Sequence, residues 1–174
     1  MAKNSKPPRL KLWGAALANK PTGLILVDLQ HAFHPDAAVV ARIEQALSQY
    51  DFIVALRHIN YPQSLFETEL NFTRCYEGQP DAEIVIPLPG ALVFDHASYG
   101  METGQIEKLK AFEIDRWDIG GVDTHGCVLA TCFNLFDHQV KFRVIKEYCH
   151  SSKGKDVQDA AFNIMELCFA QFQK

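Results

Sequence analysis

The stretch Gly23-Leu-Ile-Leu-Val27, which is followed by Asp28, decides the fold class. Five consecutive apolar residues are typical of a strand that is buried on both faces, as in a parallel sheet. A carboxylate directly after such a strand lies at the edge of the sheet where open α/β folds bind their ligands. The stretch therefore predicts a buried parallel sheet. It also makes Asp28 either a candidate active-site acid or a simple turn cap.

Short apolar segments and helical patterns alternate along the rest of the chain. Further strands are predicted over 52–56, 91–94, 116–120 and 140–145, and helices over 35–49, 103–112, 127–138 and 155–172. Thr103 is expected to cap the second of these helices. Strict alternation predicts right-handed βαβ units. We therefore predict an α/β protein, a three-layer α/β/α sandwich around a mainly parallel, Rossmann-like sheet of five to six strands.

Length and composition limit the classes of protein to consider. The chain has 174 residues and a net charge of −4, which favours one domain and argues against nucleic-acid binding. We expect residues 1–12 to form a flexible N-terminal lead-in and residues 13–174 to form a single domain. No run of about 20 apolar residues is present, so no membrane span or membrane partner is expected. The basic N-terminus lacks the apolar stretch of a secretory signal, which predicts a cytoplasmic protein.

The five cysteines form an odd set without C-x-x-C spacing. This pattern argues against a disulfide framework or a zinc site and favours reduced thiols. Most free cysteines are small core residues. The sequence therefore raises the question of whether one of the five has a different role.

Cys127 is the cysteine with a distinctive setting. It lies in Gly120-Gly-Val-Asp-Thr-His-Gly-Cys-Val-Leu-Ala-Thr131, where a strand is predicted to end in two glycines and a helix to begin near the thiol. The positive end of a helix dipole lowers the pKa of a thiol, and free N–H groups of the first turn can hold an oxyanion. Cys127 is thus a candidate nucleophile. The alternative is that it is a packing residue at a helix start.

Two segments resemble the motifs of the isochorismatase-like cysteine hydrolases. Leu26-Val-Asp-Leu-Gln-His-Ala-Phe33 is similar to their opening Asp-x-Gln-x-x-Phe motif, and Ile119-Gly-Gly-Val-Asp-Thr-His-Gly-Cys-Val128 to their nucleophile motif Gly-Val-x-Thr-x-x-Cys-Val. Phe142-Arg-Val-Ile-Lys-Glu-Tyr-Cys-His-Ser-Ser152 resembles the strand and Ser-rich turn that follow. The matches extend over about residues 23–170 in the family's order and spacing.

The resemblance implies a catalytic triad of Asp, Lys and Cys, in which Asp28 and Cys127 match directly. It also implies a non-proline cis peptide between Val122 and Asp123. The same resemblance implies an oxyanion hole that is formed by a backbone N–H of this turn together with that of Cys127. These roles are expectations from the family.

The lysine position departs from the family. Its motif, Val-Phe-Asp-Lys-x-x-Tyr, corresponds here to Val93-Phe-Asp-His-Ala-Ser-Tyr-Gly100, so His96 takes the place of the lysine, and no lysine lies between Lys20 and Lys108. A histidine between Asp28 and a thiolate stays protonated if both neighbours favour the cation. A neutral imidazole would instead leave weak or no turnover. A one-residue misalignment of this segment is a third possibility.

The substrate pocket is expected to include residues around these motifs. The predicted pocket residues are Gln30, Phe33, His58, Tyr99, Thr124 and His125. The aromatic members would supply an apolar lining, and the polar members would contact the substrate.

The candidate metal ligands are the loop histidines His31, His34, His58 and His125. Nicotinamidases, which are relatives in the same family, bind a metal through an Asp-x-His pair after the second strand. Here that segment is Arg57-His-Ile-Asn60, without the pair. A catalytic zinc usually takes three protein ligands. We therefore predict no metal and no other cofactor.

These observations favour a hydrolase of a small amide or related C–N bond. Cys127 would form a thioester, Asp28 would act as base, and His96 would stand where the family has lysine. The alternatives are a catalytically silent member that binds a small ligand or a protein partner, and a metal-dependent amidase. The resemblance also implies a homodimer or higher homo-oligomer.

Overall fold

The computed structural model describes residues 20–172. The predicted lead-in of residues 1–12 lies outside this range. Five strands are formed by Gly23–Val27 (β1), Phe52–His58 (β2), Leu92–His96 (β3), Trp117–Val122 (β4) and Phe142–His150 (β5). The α-helices are Ala37–Ala46 (α1), Leu65–Thr68 (α2), Thr103–Lys110 (α3), Leu129–Asp137 (α4) and Lys155–Phe169 (α5).

The five strands form one fully parallel sheet in the order β3-β2-β1-β4-β5. The unbroken apolar run of β1 takes the central position, where all five of its residues are buried. The strand order reverses between β1 and β4, and ligands bind at such a switch point in open α/β sheets. The predicted parallel sheet of five to six strands is thus confirmed with five.

Helices cover both faces of the sheet. On one face, α1 packs through Val39 and Ile43 against Leu24 and Leu26 of β1. On the other face, side chains of α3, α4 and α5 pack with those of all five strands in a larger core around Trp117. This arrangement is the predicted three-layer α/β/α sandwich.

One predicted helix cap and one predicted helix start are wrong. Thr103 does not cap α3, because Glu102 occupies the cap and forms a reciprocal capping box with Gln105. The helix predicted from residue 127 begins as an α-helix only at Leu129 and is preceded by a π-helical turn, Thr124–Val128. The wider turn is closed by a hydrogen bond from the Val128 N–H to the Asp123 carbonyl oxygen, at 3.2 Å.

Within residues 20–172, no helix is both long and apolar enough to span a membrane. The longest, α5, has 15 residues.

Candidate active site

The carboxyl ends of four neighbouring strands bring the candidate residues together. His58 at the end of β2 is in register with His96 at the end of β3, and Val27 of β1 is in register with Gly121 of β4. Asp28 directly follows β1, so it lies between the ends of β2 and β4. Residues that are far apart in sequence thus meet at the switch point of the sheet.

Asp28 is completely buried and has a left-handed backbone, with φ of 48°. A non-glycine residue in this region carries strain, which is common at functional sites. The Asp28 N–H donates to the Leu56 carbonyl oxygen at 3.1 Å, which fixes the backbone as it leaves the sheet. Carboxylate oxygen Oδ1 lies 2.7 Å from His96 Nε2. Oxygen Oδ2 is buried without a partner in regular hydrogen-bond geometry.

His96 is held as an imidazolium by its two acceptors. Its Nε2 faces Asp28 Oδ1, and its Nδ1 lies 2.9 Å from the Ser98 carbonyl oxygen. A carbonyl and a carboxylate both accept, so each ring nitrogen donates a hydrogen bond. Burial is the largest single influence on the His96 pKa and lowers it, but the charge and hydrogen bond of Asp28, the Ser98 carbonyl and the charge of Glu102 together raise the pKa above its ordinary value. The buried pair is therefore an ion pair.

Cys127 lies on the other side of Asp28. Its pKa is raised well above that of an ordinary thiol, first by burial, then by the negative charge of Asp28 and a hydrogen bond with that carboxylate. This hydrogen bond does not have regular geometry, because Oδ2 of Asp28 has no partner that meets the usual distance and angle. The thiol is thus protonated at rest, beside a carboxylate that can accept its proton.

Two sequence expectations about this arrangement are wrong. Cys127 is the fourth residue of the π-helical turn rather than the first of a helix, and its pKa is raised rather than lowered, because burial and Asp28 outweigh the backbone of the turn. His96 was expected between Asp28 and the thiol. Instead Asp28 contacts His96 on one side and Cys127 on the other.

The turn before Cys127 presents polar backbone toward the sulfur. The peptide between Val122 and Asp123 is cis, which is the conformation that the resemblance implies. A hydrogen bond from the Asp123 backbone N–H lowers the pKa of the Cys127 thiol, although it does not offset burial. The Asp123 carboxylate accepts from the Ser152 N–H at 2.6 Å and from its hydroxyl at 2.8 Å. The Ser-rich turn after β5 thus fixes the turn that carries the nucleophile candidate.

Gly121 lets β4 approach β1 closely enough to form the site. Its φ is +134°, and a Cβ atom there would lie 2.0 Å from the Val27 carbonyl oxygen. No other residue fits this position without moving one of the two strands. The second glycine of the nucleophile motif therefore has a steric role next to Asp28.

A cavity of about 760 Å³ opens above Cys127. This volume is in the range of small-molecule sites. Its walls are mainly apolar and aromatic, and they include the predicted pocket residues Phe33, His58, Tyr99 and His125. His34, Phe66, Phe72 and Cys127 also line the cavity. Cys127 is 7% exposed, so its sulfur is buried but accessible from this cavity.

Gln30 and Thr124, which were also predicted for the pocket, do not line it. The Gln30 amide group forms hydrogen bonds with the backbone instead. Its nitrogen donates to the carbonyl oxygens of His58 and Ala82, at 2.9 and 2.7 Å, and its oxygen accepts from the His58 N–H at 2.8 Å. Gln30 therefore holds His58 in place. The Thr124 hydroxyl is buried without a partner.

The residues around the site do not fit a metal ion. In the part of the chain that the structure describes, no three His, Cys, Asp or Glu side chains are grouped as a metal would require. His58 is surrounded by aromatic rings rather than by carboxylates.

Sequence reasoning missed several residues of the site. Leu70, Leu129, Phe133 and Lys153 line the cavity, and the Ser98 carbonyl completes the environment of His96. Leu70 and Lys153 lie in turns, and Leu129 and Phe133 lie on α4, where an apolar residue in the sequence does not distinguish a cavity wall from the core. A backbone carbonyl has no signal in the sequence.

Comparison with known proteins places these features in a family context. The model of the isochorismatase domain matches residues 22–174. Among curated proteins, no match was found. Solved structures with the same fold include the pyrazinamidase of Pyrococcus horikoshii in complex with zinc, at 22% identity and a TM-score of 0.75, over 84% of this chain and 94% of that one.

Two further structures are similar. The pyrazinamidase/nicotinamidase of Streptococcus mutans is 17% identical with a TM-score of 0.71, over 84% of this chain and 96% of that one. The N-carbamoylsarcosine amidase of Thermoplasma acidophilum is 18% identical with a TM-score of 0.71, over 86% and 93%. At these identities the similarity shows the shared fold.

Proposed function

Because this chain belongs to the isochorismatase domain family, we propose that it is a hydrolase that cleaves the C–N bond of a small amide through a thioester on Cys127. One observation carries the proposal. The Cys127 thiol lines an apolar cavity beside the buried carboxylate of Asp28, and the buried imidazole of His96 pairs with that carboxylate at 2.7 Å. Similarity in fold to the pyrazinamidase and the carbamoylsarcosine amidase supports an amide as the substrate class.

In the first half of the reaction, Cys127 is acylated by the substrate. Asp28 takes the thiol proton as the sulfur attacks the amide carbonyl carbon, and the S–C bond forms. Backbone N–H groups of Asp123 and Cys127 stabilise the resulting oxyanion. Asp28 then passes the proton to the amide nitrogen, the C–N bond breaks, and ammonia or an amine leaves.

In the second half, water deacylates the enzyme. Asp28 removes a proton from the water, whose oxygen attacks the thioester carbon. The C–S bond breaks, and the thiolate recovers its proton from Asp28, so the net reaction is amide plus water to acid plus amine. The positive charge of His96 keeps the carboxylate of Asp28 oriented between steps, at the position where the family has a lysine.

The proposal is tested by partitioning of the acyl-enzyme. A primary amide and the ethyl ester of the same acid are hydrolysed at one fixed concentration of hydroxylamine, and hydroxamate and acid are quantified. A common thioester predicts the same hydroxamate-to-acid ratio from both substrates, whereas direct attack of water predicts different ratios. Benzamide, the pyridinecarboxamides and pyrazinecarboxamide form the initial panel.

Active-site variants and a thiol control complete the test. Cys127→Ala and Asp28→Asn are expected to lower kcat/KM by at least about 10³-fold. Cys168→Ala, at an exposed cysteine away from the cavity, is the matched control and should keep full activity. Turnover that survives in Cys127→Ala would overturn the mechanism. Wild-type protein that turns over no amide, with activity appearing in His96→Lys, would identify a silent ligand-binding member.

A further inference from the structure

A second, smaller cavity lies at the opposite end of the sheet from Cys127. It has a volume of about 410 Å³ and opens where β1, β4 and β5 begin. Its charged lining residues are Lys20, Asp115, Arg116, Asp118, Lys141 and Arg143. None of the residues of the proposed chemistry lines this cavity, so the chemistry does not account for the charges there.

Positive charge is in excess in this cavity. Four cationic and two anionic side chains line it, although the whole chain has a net charge of −4. A third carboxylate, that of Asp51, lies close by and accepts hydrogen bonds from the N–H and the hydroxyl of Thr22, at 2.8 and 3.1 Å. Even when this carboxylate is counted, the cations outnumber the anions.

Arg143 is fixed in the wall of the cavity by a buried partner. Its Nε and Nη2 atoms donate to the two carboxylate oxygens of Asp118, at 2.9 and 2.6 Å, and Asp118 is only 7% exposed. A guanidinium has five N–H groups, so three of them remain for another acceptor. The Arg143 side chain is 48% exposed, which leaves room for a ligand to approach these groups.

Two ammonium groups converge on one carboxylate oxygen in the same cavity. Asp115 Oδ1 lies 3.2 Å from Lys20 Nζ and 3.8 Å from Lys141 Nζ. The pKa of Asp115 is lowered first by its hydrogen bond with Lys20 and then by the charges of Lys20, Lys141 and Arg116. Exposed ion pairs contribute little to stability, so both ammonium groups can turn from Asp115 to a ligand at little cost.

The paired strands hold these side chains next to one another. Trp117 of β4 is in register with Gly23 of β1 and with Phe142 of β5, and its N–H donates to the Lys141 carbonyl oxygen at 3.0 Å. The charged residues lie at the starts of these three strands or directly before them. The cations therefore surround the cavity on a backbone that is fixed by the sheet.

We propose that this cavity binds a phosphate group, which is carried by inorganic phosphate or by a small phosphate monoester. A phosphate group has several acceptor oxygens and a charge of roughly −2 at neutral pH, so it matches the excess of cations better than a carboxylate does. Guanidinium groups bind phosphate through parallel N–H···O bonds, and ammonium groups add point charges. The volume of the cavity is in the range of small-molecule sites, so a short organic part fits as well. The inference does not rest on the proposed hydrolysis.

Calorimetric titration of the full-length protein with sodium phosphate, glycerol 3-phosphate and sodium acetate tests the proposal. Ionic strength is held at about 0.1 M, so that screening is the same for each anion. We expect at least one of the two phosphates to bind at least about tenfold more tightly than acetate. Binding of both shows that the phosphate group is sufficient, whereas binding of the monoester alone assigns part of the affinity to its organic part. Bound phosphate should also raise the thermal midpoint as its concentration increases.

Two substitutions of opposite charge should change the affinity for phosphate in opposite directions. Arg116→Gln removes a cation and should weaken binding by at least about fivefold. Asp115→Asn removes a competing carboxylate and frees Lys20 and Lys141, so it should strengthen binding by at least about twofold. Arg42→Gln, at an exposed position on α1 outside the cavity, makes the same change in net charge as Arg116→Gln and should leave the affinity unchanged.

Several results would overturn the proposal. Weaker binding in Asp115→Asn would mean that the cluster is a set of structural ion pairs. An equal loss of affinity in Arg42→Gln and Arg116→Gln would be a response to overall charge rather than to a site. Acetate that binds as tightly as phosphate, or a dissociation constant for both phosphates above about 10 mM, would also exclude a phosphate site. None of these measurements depends on amide turnover, because the variants do not change the cavity above Cys127.

Discussion

At the scale of single residues, the two neighbouring histidines of the site should titrate in opposite directions. Partners raise the pKa of His96, and burial lowers that of His58. We expect His96 to remain protonated on both nitrogens above the ordinary histidine value of about 6.5, and His58 to be neutral below it. Nitrogen chemical shifts in long-range ¹H–¹⁵N spectra, recorded as a function of pH, report both states. His96→Gln and His58→Leu assign the signals, and a His96 that loses its proton below about 6.5 would contradict the ion pair.

The raised pKa of His96 also makes stability depend on pH in a defined direction. In the unfolded chain its pKa is about 6.5, so below that value it is charged in both states and its pairing with Asp28 contributes fully. Between the unfolded and the higher folded value, the folded protein holds more protons, so this contribution falls as pH rises. The difference in unfolding free energy between wild type and His96→Gln should shrink above about pH 6.5, by at most about 1.4 kcal/mol per pH unit.

Urea denaturation in buffers from about pH 6 to about pH 9 measures this difference. Cys127 is present in both proteins, so its own titration largely cancels in the comparison. A difference that grows with pH would mean that His96 is neutral in the folded state.

Single residues also show where sequence reasoning succeeds and where it ends. Asp28 could be found because it follows an apolar strand, and Cys127 because it comes soon after a strand that ends in two glycines. The sequence predicts where both strands end. The state of the Cys127 thiol could not be found, because its pKa depends on burial and on Asp28 rather than on local sequence. The same holds for Gln30, whose side chain holds the backbone of a residue 28 positions away instead of facing the pocket.

At the scale of elements, the close approach of β4 to β1 depends on one glycine. Gly121→Ala would place a Cβ atom 2.0 Å from the Val27 carbonyl oxygen, at a φ of +134°. Because both atoms belong to paired central strands, neither can move without breaking the ladder. We expect a loss of roughly 3 kcal/mol or more in unfolding free energy, measured by urea denaturation.

Gly104→Ala is the matched control in the same protein. Gly104 lies in the first turn of α3, and a Cβ atom there meets nothing within 4 Å. Replacing glycine by alanine in such a helix should stabilise the protein by about 0.5–1 kcal/mol. Equal effects of the two substitutions would show that the β4–β1 contact is not tight.

The element boundaries show why local patterns were insufficient around the nucleophile candidate. Short apolar segments predicted all five strands, and the signal is clearest for β1, which is buried along its whole length. The turn Thr124–Val128 was predicted to be loop and α-helix because its residues have no periodicity of their own. Its π-helical form is defined by a hydrogen bond that reaches back to Asp123, whose carboxylate is held by Ser152. Contacts from the turn after β5 thus help to fix a segment 29 residues earlier.

At the scale of the whole molecule, the two ends of the sheet have different polar clusters. The carboxyl end carries the pair of Asp28 and His96. Toward the other end, Asp118 of β4 accepts two hydrogen bonds from Arg143, at 2.9 and 2.6 Å, and one from the Tyr50 hydroxyl at 3.0 Å. Four residues of strand, or roughly 13 Å, separate Asp118 from Val122. The clusters are thus far enough apart for their effects on stability and on function to be independent.

Asp118→Asn tests this separation. The substitution keeps the shape of the side chain but removes the charge that pairs with Arg143, whose own side chain is 48% exposed and therefore partly solvated. We expect a loss of roughly 1–3 kcal/mol in unfolding free energy. The affinity of the cavity for small amides and any amide turnover should stay unchanged at temperatures where the variant is folded.

Asp115→Asn is the control, because its contacts with Lys20 and Lys141 are exposed and solvent-screened, so its stability should match wild type. A weakened cavity in Asp118→Asn with the fold intact would mean that β4 couples the two ends, because a shift at the start of the strand would reach the turn that carries Cys127.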